Sequence, residues 1–106
     1  MSEKLKAAFI FVAPGVDPAQ HRSWVKTPAV ELLAVAAENY DAAAKLAKEL
    51  VAEGIQAIEL CGGFGNLGTA RIVEAVGGKI PVGAVRFDIP IYGGSIISNI
   101  AKRDAG

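Results

Sequence analysis

Three side chains in this sequence are of types that carry out nucleophilic and acid–base chemistry. Cys61 and Glu59 belong to the run IELCGGFGNLG, and His21 belongs to the segment DPAQHR. A cysteine near the start of a helix can act as a nucleophile, and a histidine or glutamate can supply or remove a proton. These residues are the catalytic candidates of one hypothesis, a small lyase, isomerase or hydrolase. A packed cysteine and a solvent-exposed histidine are the simpler interpretations.

The run that follows Glu59 is rich in glycine, with four glycines in residues 62–68. Glycine permits positive φ and lets a ligand approach the backbone, and the N–H groups at the start of a helix attract anions. The turn at residues 61–66 is therefore predicted to bind a small anionic molecule, a phosphate or a carboxylate. The predicted ligand-binding residues are Gly62, Gly63, Phe64, Gly65, Asn66, Arg86, Arg22 and Asp88.

Two other interpretations of this turn stay open. Residues 63–68 fit the pattern G-x-G-x-x-G, and Asp88 stands near the spacing expected of the ribose-binding acid of dinucleotide-binding proteins. The chain supplies about four strands, however, where a dinucleotide-binding domain normally has six. No cofactor is therefore expected. A dinucleotide remains an alternative, and so does a purely structural turn in an assembly or partner-binding module.

Apolar runs and helical spacing divide the chain into alternating strands and helices. The apolar runs predict strands at residues 7–13, 30–37, 55–61 and 82–87. Helical spacing and capping residues predict helices at residues 18–24, 39–53, 67–76 and 96–102. This alternation predicts a single α/β domain over residues 1–106, with three layers and a mostly parallel sheet of about four strands.

The predicted sheet would bring the candidate residues to one edge, because ligands of parallel sheets bind beyond the carboxyl ends of the strands. His21 follows the first predicted strand, Cys61 ends the third, and Arg86 lies at the end of the fourth. Strand alternation places Glu59 on a face that otherwise appears buried. A buried carboxylate needs a partner, so a Glu59–Arg86 ion pair is predicted.

Composition excludes several classes of partner. Eleven basic residues balance eleven acidic ones, and no segment gathers lysine and arginine, so neither nucleic acid nor a membrane surface is expected. One cysteine and one histidine do not form a zinc site, and no metal is expected. A hydrophobic content of 52% favours a homo-oligomer, and the absence of a secretory segment favours a cytoplasmic location.

Three segments, FIFVAPGVDPAQHR, AIELCGGFG and PVGAVRFD, resemble a family of small microbial α/β proteins of unknown function. The resemblance covers most of the chain up to Asp88, and AIELCGGFG is its most specific part. It brings no assigned activity and therefore no catalytic roles. It does imply that the candidate residues within these segments are the ones to test, and these are His21, Arg22, Glu59, Cys61, Arg86 and the glycines.

Overall fold

The computed structural model describes residues 3–88, which form five strands, two α-helices and one short 3₁₀ helix. In chain order these elements are β1 (Leu5–Val12), β2 (Arg22–Lys26), β3 (Val30–Ala37), α1 (Tyr40–Ala52), β4 (Ala57–Leu60), the 3₁₀ helix (Gly62–Phe64), α2 (Gly65–Val76) and β5 (Val82–Ala84). The predicted last helix, at residues 96–102, lies outside the described residues.

All five strands join one sheet, in the spatial order β2-β3-β1-β4-β5. β1 is parallel to β3 and to β4, and β4 is parallel to β5. β2 is antiparallel to β3 at the edge. The predicted α/β class and mostly parallel sheet are confirmed, with five strands where about four were predicted.

Both helices lie on one face of the sheet. They pack against each other, and their apolar side chains form one buried cluster with alternate residues of the strands. The helices contribute Tyr40, Ala43, Leu46, Ala47, Leu50, Ile72 and Val76, and the three central strands contribute Ala8, Ile10, Val12, Leu33, Val35, Ala37, Ile58 and Leu60. Residues 3–88 thus supply two layers of the predicted three.

The opposite face of the sheet carries no helix from the described residues, and we call it the open face. Strand alternation and register assign the following residues to it. They are Leu5, Ala7, Phe9 and Phe11 of β1, Val30, Leu32, Ala34 and Ala36 of β3, Ser23 and Val25 of β2, Ala57 and Glu59 of β4, and Gly83 of β5. The face is therefore almost wholly apolar.

The predicted helix at residues 18–24 is wrong, because this segment makes one turn and then continues as strand β2. The Asp17 carboxylate accepts a hydrogen bond from the Ala19 amide at 2.9 Å, and the Asp17 carbonyl accepts from the His21 amide at 2.7 Å. From Arg22 onward the backbone bonds to β3 instead of continuing the turn. An aspartate followed by proline starts a turn as readily as a helix.

The other predicted elements are present with small shifts at their ends. The predicted strand at residues 30–37 coincides with β3, and the predicted helix at residues 39–53 is one residue longer at each end than α1. α2 begins at Gly65, two residues before the predicted start. β4 begins two residues later and ends one residue earlier than predicted, and β5 ends three residues earlier than predicted.

Helix α1 begins where a polar cap meets a run of helix-forming residues. The Asn39 side chain accepts a hydrogen bond from the Ala42 amide at 2.8 Å and so satisfies one of the N–H groups that a helix start leaves unpaired. Its buried residues recur at helical spacing and seat the helix over β1 and β3.

Removing this cap tests whether the helix start contributes to stability. Asn39→Ala should lower the free energy of unfolding by about 1 kcal/mol, because the Ala42 amide loses its acceptor. Asn39→Asp is the matched control, since aspartate caps helices about as well as asparagine. Urea denaturation of both variants measures the difference, and equal midpoints for Asn39→Ala and Asn39→Asp would show that the cap contributes little.

Candidate functional site

The glycine-rich turn joins the carboxyl end of β4 to the start of α2, as the sequence predicts. Cys61 leaves the strand in an extended conformation, and residues 62–64 then form a single 3₁₀ turn. Gly65 has φ of 62° and ψ of −167°, a conformation that residues with a side chain rarely adopt. The turn can reverse into α2 at this point because residue 65 is glycine.

Two further glycines allow close packing beneath the turn. A Cβ on Gly68 would lie 2.9 Å from the Tyr40 ring, and a Cβ on Gly63 would lie 3.1 Å from a methyl group of Val12. The third glycine of the G-x-G-x-x-G pattern thus lets the first turn of α2 approach α1. Its presence is explained by packing between helices.

Tyr40, which the sequence analysis did not single out, holds the turn from below. Its hydroxyl donates a hydrogen bond to the Gly63 carbonyl at 2.9 Å, in a buried position. Its ring stacks on Phe64 with 5.6 Å between centroids and 20° between planes. Phe64 is fully buried, so its ring belongs to the core and does not face a solvent-borne ligand. The sequence signal that could have identified Tyr40 is its position as an aromatic residue directly after the helix cap Asn39.

Arg86 and Asn66 meet at the solvent side of the turn. The Arg86 guanidinium donates a hydrogen bond from Nη1 to Oδ1 of Asn66 at 2.9 Å. Among residues 3–88, Arg86 has no carboxylate within ion-pair distance. The sequence predicted both residues for the site, and the structure brings them together at the start of α2.

A groove runs from this pair along the surface between α2 and β5. Its volume is about 630 Å³. Its lining residues are Gly65, Asn66, Thr69, Ala70, Val73, Glu74, Ala84, Val85 and Arg86. The groove therefore has a cationic group at the end where α2 begins, small apolar walls, and a carboxylate toward the other end.

Phe87 covers the first glycine of the turn. A Cβ on Gly62 would overlap the Phe87 ring, so a side chain at residue 62 would displace this ring. Half of the Phe87 side chain remains exposed. Asp88 follows immediately and is exposed. The space directly above Gly62 is thus filled by the protein, and the accessible part of the site lies at Gly65, Asn66 and Arg86.

The predicted Glu59–Arg86 ion pair is wrong. Glu59 pairs in register with Gly83 and projects from the open face, where it is exposed. Arg86 bonds to Asn66 at the start of α2, near the face that the helices cover. Alternation within each strand was inferred correctly, but the faces of two strands can be matched only when their register is known.

His21 and Arg22 lie at the same edge of the sheet as Cys61 but not beside it. β2 and β4 are separated by β3 and β1, so three strand spacings, about 14 Å, lie between these residues. The His21 ring accepts a hydrogen bond at Nδ1 from the Asp17 amide at 2.9 Å, and Arg22 donates to the Pro18 carbonyl at 2.7 Å. Both side chains therefore serve the local turn.

Cys61 is half-buried and packs against the edge of the core, with its amide bonded to the Ile10 carbonyl. His21 is too far away to act as the base of Cys61. Within residues 3–88, no three histidine, cysteine, aspartate or glutamate residues are grouped to hold a metal ion. In the same part of the chain, none of the helices has the length and apolar character needed to span a bilayer.

The sheet and its two helices define an α/β domain with a strand-turn-helix site at the end of β4. Residues 5–91 match a family of unknown function, DUF6506, and the chain belongs to this family. Comparison with curated proteins and with solved structures gave no match.

A methyl group added at residue 68 tests the packing between α2 and Tyr40 beneath the turn. Gly68→Ala should lower the free energy of unfolding by about 1–2 kcal/mol, because overlap with Tyr40 outweighs the roughly 1 kcal/mol that alanine gains over glycine in a helix. Gly83→Ala is the matched control, since a Cβ there meets nothing within 4 Å. Chemical denaturation compares the two variants. If Gly68→Ala were as stable as Gly83→Ala, the close approach of α2 to Tyr40 would not constrain residue 68.

Proposed function

We propose that this domain binds a small anionic ligand at the start of α2, in the groove between α2 and β5. The observation that supports the proposal is the position of Arg86. Its guanidinium is held by Asn66 at a helix N-terminus, and among the described residues no carboxylate neutralises it. An arginine fixed in this way is preorganised to receive a carboxylate or a phosphate.

The local electrostatics also favour an anion. The partial positive charge of a helix lies at its N-terminus, and the first turn of α2 contains no acidic residue to offset it. Asn66 accepts one N–H of a guanidinium that has five. The remaining N–H groups and the helix start can therefore act together on one anionic group.

The walls of the groove restrict the rest of the ligand. Ala70, Val73, Ala84 and Val85 line it with apolar groups, which favour a ligand with a hydrocarbon body behind the anionic head. Glu74 lies about 12 Å along the helix axis from Asn66 at roughly 1.5 Å per residue. Its carboxylate disfavours a second negative charge at that end, so a monocarboxylate or phosphate monoester with an apolar body fits best.

The two alternative functions have less support. A dinucleotide would approach the backbone of the first two glycines of the pattern, yet Gly63 is buried against Val12. The alternative enzyme would use Cys61 or His21. Three strand spacings keep His21 from serving as the base of Cys61, and Nδ1 of His21 accepts a hydrogen bond from the Asp17 amide. We therefore propose binding and assign no reaction.

Replacement of Arg86 by alanine tests the proposed anion site. Isothermal titration of the full chain with inorganic phosphate and with a series of linear carboxylates, from acetate to hexanoate, should identify at least one ligand. Arg86→Ala should then weaken binding of that ligand roughly 10- to 150-fold, because a hydrogen bond to a charged group contributes about 1.5–3 kcal/mol.

Lys79→Ala is the matched control, since it removes one positive charge from the exposed loop beyond the other end of α2. It should leave the affinity within about twofold, because exposed charges more than about 10 Å apart are largely screened at 0.1 M salt. Equal losses in the two variants would point to a general charge effect. No binding of any of these anions to the wild-type chain would contradict the proposal.

A further inference from the structure

The open face is the largest unexplained feature of the described structure. Sheets built from parallel strands are normally covered on both faces, and in residues 3–88 both helices cover the same one. β1 is apolar on both sides, as expected for a strand that is buried on both sides. Ala7 and Ala36 on the open face are buried between their neighbours, yet Leu5, Phe11 and Val25 on the same face are 46%, 36% and 58% exposed.

The open face approaches the size of a protein–protein interface. The five strands contain 28 residues, and each residue occupies roughly 3.3 by 4.8 Å of the sheet. The flat projection is on the order of 440 Å², and side-chain relief adds to it. A standard interface buries about 800 Å² on each partner, so this face supplies more than half of what a stable dimer needs.

We propose that the open face binds the open face of a second copy of this chain, forming a dimer with two sheets packed together between outer layers of helices. The proposal concerns a surface separate from the anion site and does not depend on it. An apolar face is complementary to a copy of itself, whereas a polar partner would leave its own groups unsatisfied against these side chains. Sheets packed in this way lie about 10 Å apart.

The single charge of the open face determines how the two copies are arranged. Register places Ser23, Ala34, Phe9 and Glu59 in one row across the sheet, with Glu59 on β4 and Ser23 on β2. A two-fold axis perpendicular to the strands would place the two Glu59 carboxylates opposite each other. An axis parallel to the strands, passing between β3 and β1, instead places β4 of one copy over β2 of the other.

That parallel axis brings Glu59 beside Ser23 of the partner subunit. The hydroxyl of the partner's Ser23 can donate a hydrogen bond to the Glu59 carboxylate, and the two-fold symmetry repeats the contact. A carboxylate buried in an apolar interface needs such a donor, whereas two opposed carboxylates repel. The geometry therefore points to a dimer whose axis runs along the strands.

The oligomeric state of the full chain tests this inference. Sedimentation velocity over a range of concentrations should show a dimer for the wild-type chain. Phe11→Lys and Val25→Lys should each raise the dissociation constant by about 100-fold or more, since each places an unpaired charge inside the interface. Leu67→Lys is the matched control, because Leu67 is 70% exposed on α2 and lies away from the open face.

Circular dichroism of each variant shows that it is folded before it is compared. Loss of the dimer in both open-face variants, with the dimer retained in Leu67→Lys, supports the proposal. A wild-type chain that stays monomeric at every concentration would overturn it and would mean that something else covers the face, such as residues 89–106 of the same chain. Dimers that persist in Phe11→Lys and Val25→Lys would also overturn it by placing the interface elsewhere.

Discussion

The contact between Tyr40 and the first turn of α2 fixes the geometry on which the proposed site depends. The Tyr40 hydroxyl binds the Gly63 carbonyl, its ring stacks on Phe64, and Gly68 leaves the space that the ring occupies. Because Tyr40 is the first residue of α1, these contacts tie the start of one helix to the start of the other. The direction in which α2 points its N-terminus is therefore set by the core and not by the loop.

This arrangement separates the structural glycines from the proposed binding groups. Gly62, Gly63 and Gly68 lie close to Phe87, Val12 and Tyr40 respectively, so packing accounts for the small residue at each position. Gly65 is required by its positive φ. The chemistry then rests on the groups that remain at the surface, which are Asn66, Arg86 and the helix start, and a glycine-rich pattern alone would not have identified them.

How much could be predicted differs between local and long-range features. Helix α1 was predicted to within one residue at each end, because a polar cap and apolar spacing are local signals. β2 was missed because the turn at Asp17 resembles a helix start, and only pairing with β3 reveals the strand. The prediction of a Glu59–Arg86 ion pair was wrong because the relative faces of β4 and β5 depend on their register, which the sequence does not reveal. The separation of His21 from Cys61 follows from the strand order, which residue spacing does not encode.

The central claim is that an anion binds where α2 begins, at Asn66 and Arg86. Two-dimensional ¹⁵N–¹H spectra of the full chain, recorded during titration with phosphate and with hexanoate, test it most directly. The account predicts that the largest shifts occur for the amides of residues 62–66 and for the Nε–H group of Arg86, with saturation at a single dissociation constant. Shifts centred on residues 17–22, or shifts that never saturate, would contradict it.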